Sequence, residues 1–519
     1  MHGDRPLFHT PATSLPVIGV LPALLRKRRE LHELFLQYAT EAQAAGKPFV
    51  QLSYGPLHGM ALVADPTVAE EILRSPHFSD RTSFPIIDAT YAQFVGASGI
   101  STNMGGITFV NGEPWRRNRM AALRCLSRPS FLEETRSVTQ ACTDRLLASF
   151  RARGLVGSGA PIDLGRELSR LAIDVMGQLC WKTDLGAIEG DHDRFVDPVH
   201  TMLDAIQRYI YVPLPAALLA HLPMPTLRRL RSAVRQLRTI GDALMAPRFD
   251  AAGRLRVGDS ADDVLGVLLH ELVRDTASPA KDELDNVQAT LMDLLGAGHD
   301  TTANAMAFCL GLLSQPAHAP WQDRAAAEAQ RGDRETKPSD GPGAPVLTAA
   351  YREALRLYPP GAMFSRVASQ DTALALGGET AAIRAGTQMF VSPYVMGRDP
   401  REFPDAAAFQ PDRHLSLRDT AADACPHLHK LRSPGYAPYG GGKRSCVGAQ
   451  FAEIEALAAL GRILRDLRIE LVAGNAPIEA DLLFTLRPRR PLLARVHARQ
   501  PGQPAGMHGS TQPSAQAAR

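Results

Sequence analysis

The chain has 519 residues, room for one large domain or for up to three at roughly 150 residues each. Hydrophobic residues make up 45% and charged residues 21%, which excludes wholesale disorder. With 57 Lys+Arg against 54 Asp+Glu the net charge is +3, so no global field draws the chain to nucleic acid. Six cysteines are too few for a disulfide scaffold. No CxxC, CxxCH or Cys/His cluster suggests zinc or covalently attached haem, so each thiol is judged singly.

Residues 1–10 read as a flexible tail and 500–519 as a low-complexity, disordered one. The apolar run at 15–25, LPVIGVLPALL, holds two prolines and is followed by RKRRE. A secretory signal has the opposite polarity, and no stretch reaches the 18 or so apolar residues of a membrane span. The expectation is an ordered strap on a cytoplasmic protein without a membrane anchor. Helical periodicity marks 29–45, 66–74, 130–153, 163–180, 226–247, 260–274, 279–315, 346–357 and 447–466. Alternating segments at 48–53, 59–64, 388–391 and 482–495 suffice for one small sheet. The polar stretch 323–345 reads as an exposed connection. Residues 84–110 and 209–225 are irregular yet apolar, the character of lids and binding loops. No linker separates two cores, so residues 11–499 form one domain.

The helix at 279–315 is the structural centre. Ser278 is placed to cap it, Pro279 suits its first position and Pro316 stops it. About 37 residues would span roughly 55 Å. Its middle reads Gly296-Ala297-Gly298-His299-Asp300-Thr301-Thr302. Glycines there cost about 1 kcal/mol each relative to alanine, and an acid beside two β-branched alcohols has no packing purpose. A kinked core helix with self-satisfied polar groups is the plain alternative.

The segment Pro438-Tyr439-Gly440-Gly441-Gly442-Lys443-Arg444-Ser445-Cys446-Val447-Gly448 precedes an amphipathic helix. A phosphate-binding loop needs a Gly six residues before its Lys and Ser or Thr after it. Ala437 and Arg444 occupy those positions, so that reading fails. What remains is one cysteine at a helix start, where amides and the dipole favour a thiolate. The glycines let a flat ligand approach. A thiolate so held can be an axial ligand to haem iron.

These residues resemble the cytochrome P-450 haem-thiolate monooxygenases, whose signature matches at Tyr439, Gly442, Arg444, Cys446 and Gly448. Four further motifs resemble the family's in the expected order. They are Trp115-Arg116-Arg117-Asn118-Arg119, Ala297 to Thr302, Glu353-Ala354-Leu355-Arg356, and Phe409-Gln410-Pro411-Asp412-Arg413. The resemblance implies a mainly α fold with a small β region, a long central helix over haem and the cysteine loop beneath it. It implies haem b on Cys446, with Trp115, Arg119, Ala297, Arg366, Tyr439, Gly440, Arg444 and Gly448 around the cofactor. Arg384 and Arg487 could compete with Arg366 for a propionate. Glu353, Arg356 and Arg413 would form a buried charged network that fixes the cysteine loop. Tyr439 stands where Phe is usual, and its hydroxyl needs a partner.

By the same resemblance Asp300 and Thr301 carry the oxygen chemistry, the hydroxyl orienting water and the acid relaying protons from solvent. Thr302 reads as structural and His299 as turned away from the haem. The substrate pocket would include Asp293, Ala297, Met363 and Phe484, mostly small or apolar, for a hydrophobic molecule. Asp293 shares a helix face with Ala297 and Thr301 and would meet a basic or hydroxylated part of the substrate, or else bond water or an arginine. No flavin or iron–sulfur domain is expected, so electrons would come from a separate ferredoxin or flavodoxin. His427, His429, Lys430, Arg432, Lys443 and Arg444 form a basic patch suited to docking it. A monomeric monooxygenase is the reading. A haem-thiolate isomerase, dehydratase or peroxide-driven enzyme, or a non-catalytic haem-binding protein, are the alternatives.

Overall fold

In the computed structural model, residues 7–54, 59–82, 84–94, 106–212, 214–256, 262–335, 345–376, 379–415 and 433–499 are described. The architecture is mainly helical with small sheets at its margins. Helices start where the sequence supplies acceptors for the orphan amides. Asp65 receives the amides of Thr67 and Val68, with Pro66 in the first helical position of Pro66–Arg74. Asp163 caps Leu164–Trp181 in the same way.

The central helix runs Lys281–Leu313, 33 residues, so its length is about 50 Å. It begins two residues later than expected, without a side-chain cap. Asp275 accepts the amides of Ala277 and Ser278 and holds that stretch in a turn. Leu164–Trp181 crosses it closely. A Cβ at Gly298 would lie 2.7 Å from the Met176 sulfur, whereas one at Gly296 would meet nothing. The first glycine of the pair therefore borders open space and the second permits helix contact.

Among the described residues the expectation of one small sheet is corrected to four. The largest orders its strands Phe8–His9, Phe49–Ser53, Gly59–Val63, Gln388–Val391 and Phe364–Val367. Its join of distant segments is parallel, with Ala61 opposite Met389 and Leu62 opposite Phe390. Phe8–His9 pairs with Phe49 and Val50, so part of the expected tail is a strand. A three-stranded sheet orders Ile162–Asp163, Leu493–Ala498 and Leu467–Leu471. The alternating 482–495 stretch is divided between the hairpin Ala480–Leu483/Thr485–Pro488 and the strand Leu493–Ala498.

Several helices escaped the periodicity, among them Leu21–Arg26, Gly112–Leu126 and Ala216–His221, and three others are instructive. His192–Tyr209 carries Pro198 in its interior, which breaks the pattern. Pro85–Phe94 lies in the segment expected to be irregular. Ala319–Glu335 replaces the exposed connection expected at 323–345 over its first part; two alanines, Ala325 and Ala326, sit fully buried on its inner face. Small residues carry a helix face that a count of large apolar ones does not register. Among the described residues no helix is long and apolar enough to cross a membrane.

Candidate active site

Cys446 sits three residues before the Ala449–Asp466 helix, for which Gly448 is the N-cap. Its amide bonds the Tyr439 carbonyl at 2.9 Å, closing the loop. Two of the loop glycines are in the left-handed region, Gly440 at φ 70° and Gly442 at φ 63°. A Cβ on Gly442 would fall 2.2 Å from the Leu73 carbonyl oxygen, so the loop tolerates no side chain there. Cys446 lies deep in the protein yet keeps accessible surface, because it faces a cavity. Burial raises its thiol above the ordinary value, while the Gly448 amide, Arg119 and Arg81 favour the thiolate. A bound metal cation would complete that stabilisation.

The cavity above the sulfur has Cys446, Trp115, Arg119 and Tyr439 on one side and Ala297 and Thr301 on the other. Ala297 is exposed in the middle of an otherwise buried helix. The Thr301 hydroxyl donates to the Ala297 carbonyl at 2.5 Å. Asp293 borders the same space, but its Oδ2 accepts the amides of Ile107 and Thr108 at 2.8 and 3.0 Å. It thus fastens the 106–110 loop to the central helix while also lining the substrate cavity.

Three guanidinium groups, those of Arg81, Arg119 and Arg444, line the cavity rim, and Arg366 lies close to Arg81 and Arg444. Arg366 is 1% exposed, donates to its neighbour Ser365's carbonyl, and leaves Nε and Nη2 without partners. Burial, with repulsion from Arg81 and Arg444, pushes it down to about 9. An uncompensated cation in such a place calls for an anion, which the propionates of haem would supply. Arg444 lies over the Trp115 ring at 3.8 Å and donates to Ser79 O, Val110 O and Asn111 Oδ1. Arg119 donates to Ser445 O at 2.8 Å, so both hold the loops that frame the cavity. Arg81, the fourth member, was not anticipated; nothing in its local sequence marks it. None of Arg366, Arg384 and Arg487 lines this cavity, but Arg366 lies beside Arg81 and Arg444, which do. The residues present therefore fit a flat, dianionic, thiolate-ligated group.

Beneath the loop, Glu353 and Arg356 share the Pro345–Leu357 helix and are both fully buried. Glu353 accepts two bonds from Arg356 at 2.8 and 2.9 Å. Further bonds come from His414 at 2.9 Å, the Gln410 amide at 2.9 Å and Arg413 at 3.3 Å. Arg356 also bonds the carbonyls of Gly397, Ala406 and Ala408. Burial opposes ionisation of Glu353, but these donors win and hold its carboxyl at about 2. His414 is a member that sequence reasoning missed, though it adjoins Arg413. The Tyr439 hydroxyl is buried beside Tyr351 without a hydrogen bond of acceptable geometry.

A second cavity, of about 260 Å³, continues past Thr301. Met202, Leu203 and Ile206 from His192–Tyr209 wall it on one side and Met363 and Phe364 on another. Phe484 turns the Ala480–Leu483/Thr485–Pro488 hairpin at φ 65°, and its ring meets Phe109 at 5.5 Å. A bulky residue in that backbone region costs about 1–3 kcal/mol, which the surrounding packing offsets. Asp300 and His299 are buried and line neither cavity. His299 donates Nδ1–H to Leu295 O. His427, His429, Lys430 and Arg432 lie outside the described residues.

A cavity between a cysteine loop and the Ala297–Thr301 face of a long helix is the arrangement of a haem-thiolate enzyme. The chain belongs to the cytochrome P450 family, whose sequence model matches residues 10–494. It is similar to the chloroplastic cytochrome P450 97B2 of Glycine max, 26% identical over 86% of this chain and 80% of that one. It also resembles the mitochondrial 25-hydroxyvitamin D-1 alpha hydroxylase of Mus musculus, at 28% over 89% and 86%. The cyclooctat-9-en-7-ol 5-monooxygenase of Streptomyces melanosporofaciens is 26% identical over 90% of each chain. This is a P450 monooxygenase that uses a haem iron, a hydrophobic substrate and a redox partner.

Proposed function

We propose that the chain inserts one oxygen atom from dioxygen into a hydrophobic small molecule, by hydroxylation or epoxidation, on haem b. The observation that carries this reading is Cys446 facing Thr301 and Ala297 across one cavity, with the substrate space opening directly beside Thr301. When bound, the haem iron supplies dioxygen binding and oxygen–oxygen bond cleavage. Cys446 would hold the iron, and Arg366 would pair a propionate. Trp115, Arg119 and Arg444 keep the surrounding loops in place.

The apolar wall excludes water from the reacting carbon and orients the substrate by shape. Thr301 offers a hydroxyl where protons are required, and Asp300, the preceding residue, faces a polar recess on the other side of the helix. This pair favours dioxygen chemistry over isomerisation or peroxide-driven turnover. The names of the relatives support the class, since they include a hydroxylase and a monooxygenase. Electrons would come from a separate ferredoxin or flavodoxin docking near Lys443, which is exposed beside the thiolate loop.

Turnover with reductant and dioxygen, compared with peroxide alone, tests the reading. The ferrous–CO complex should show the red-shifted Soret band of thiolate ligation, lost in Cys446→His. Thr301→Ala should divert reducing equivalents to peroxide while substrate binding persists. Unchanged coupling in that variant, or turnover on peroxide alone, would sink the dioxygen reading.

A further inference from the structure

Asp300 is the charged member of the acid–alcohol pair, yet its carboxylate points away from the haem cavity. It lines a polar recess of about 410 Å³ on the opposite side of the central helix. There the Asp300 Oδ1 meets His200 Nε2 at 3.3 Å, and Asn304 donates to the same oxygen at 3.2 Å. The other oxygen, Oδ2, accepts the Thr485 hydroxyl. Thr485 is buried, 8% exposed, and lines the substrate cavity. His200 is one-third exposed and lines the recess. The three side chains thus form a hydrogen-bonded line from a solvent-reached recess to the substrate cavity, which adjoins the cavity above Cys446 at Thr301. The Thr301 hydroxyl donates to Ala297 O instead.

We propose that His200 and Thr485 are the two ends of a proton path whose middle is Asp300, an assignment that rests on the monooxygenase reading above. The imidazolium of His200 gives its Nε2 proton to Asp300 Oδ1. The carboxyl group turns so that this proton faces Thr485 Oγ1, while the threonine hydroxyl swings from Asp300 toward a water molecule in the cavity. The acid then gives its proton to Oγ1 as the threonine's own proton leaves for that water, and both groups turn back. A solvent proton in the recess then restores His200. One proton crosses the wall per cycle and every group returns to its starting state. His200 acts through Asp300 and does not touch the haem.

Each step has a physical warrant. A histidine titrates in the range where cells work, so it can both accept and release protons there. A buried carboxylate with donors on both oxygens is poised to exchange protons between them. Burial opposes ionisation of Asp300, but His200, His299 and Thr485 together hold its carboxyl at about 2, so it starts each cycle as an acceptor. The groups that face His200 come from several elements. Asp197 and His192 lie on its own helix, and Asp300 and His299 on the central helix. Asp481 and Arg487 lie on the Ala480–Pro488 hairpin, and Arg29 on the N-terminal strap.

The alternative is that the same contacts merely clamp the hairpin and the His192–Tyr209 helix to the central helix. Thr485→Val keeps the shape and removes the relay. The rate of product formation with reductant and dioxygen should fall at least about tenfold, with more peroxide released and an altered solvent deuterium isotope effect. Thr485→Ser should recover most of that loss. His200→Gln keeps a donor on Asp300 but carries no proton, and should flatten the pH profile of product formation in the histidine range.

A separate readout needs no turnover. By NMR on the holoenzyme, Asp300→Asn should shift the His200 ring resonances, because the carboxylate that bonds Nε2 is gone. The path is overturned if Thr485→Val keeps wild-type coupling and isotope effect, if His200→Gln keeps the wild-type pH profile, or if Asp300→Asn leaves the His200 ring resonances unmoved. A wild-type protein with the thiolate CO band but no dioxygen-dependent product would instead defeat the monooxygenase reading, while the NMR result still judges the His200–Asp300 pair.

Discussion

Replacing Glu353 by Gln removes one charge from a site with no access to water. Its carboxylate collects bonds from Arg356, His414, Arg413 and the Gln410 amide. The carboxyl sits at about 2 in the folded protein against an ordinary 4.5. At about 1.36 kcal/mol per pH unit, that depression corresponds to about 3 kcal/mol of folding free energy. Breaking a buried ion pair on one side costs about 3–5 kcal/mol by a separate route, so the two scales agree. Because the folded-state value is the lower one, this stabilisation is complete above pH 4.5 and vanishes as the pH falls toward 2. Urea unfolding of the holoenzyme at a series of pH values reads both quantities. The variant should be about 3 kcal/mol less stable at neutral pH, and its stability should fall less steeply than that of the native protein between pH 4.5 and 2. A loss under about 1 kcal/mol, or identical slopes, would show that the network is not the support of the cysteine loop argued above.

Arg366→Met should speed haem release from the holoenzyme at least about tenfold, since the propionate would lose a buried cation; transfer to an acceptor globin measures it, and an unchanged rate removes Arg366 from the site. Gly442→Ala places a Cβ against the Leu73 carbonyl at a left-handed position, so thermal unfolding should report a loss of more than about 2 kcal/mol, whereas Gly296→Ala, which meets nothing, should gain helix stability of up to about 1 kcal/mol. Wild-type stability in Gly442→Ala would mean the loop relaxes away from the Pro66–Arg74 helix.

What the chain discloses in one dimension is chemistry that lies close together in it. Tyr439 to Gly448, Ala297 to Thr302 and Glu353 to Arg356 each sit within one turn or loop, where spacing is geometry. Arg81, His200, His414 and Thr485 reach their partners through tertiary folding, and only His414 had a neighbour to betray it. Arg81 and Thr485 occupy a loop and a hairpin edge whose residue types suit any surface. Helices such as Leu31–Ala44 and Pro129–Ala152 were legible because large apolar residues recur at the right interval. Ala319–Glu335 was not, because alanine supplies its face. The Asp293 carboxylate shows the converse limit. Its helix position aims it at the cavity, but two loop amides reach it first.

The crowding of guanidinium groups at the cavity rim ties the abundance of this protein to the supply of its cofactor. Arg366 and Arg444 each repel, and are repelled by, neighbouring cations at the site, so the empty fold carries an internal strain that the dianionic cofactor relieves. A ligand that binds only the native state stabilises it in proportion to the logarithm of its excess, about 2.7 kcal/mol at a hundred times its dissociation constant. Chains made while haem is scarce would therefore spend more time unfolded and meet proteases sooner.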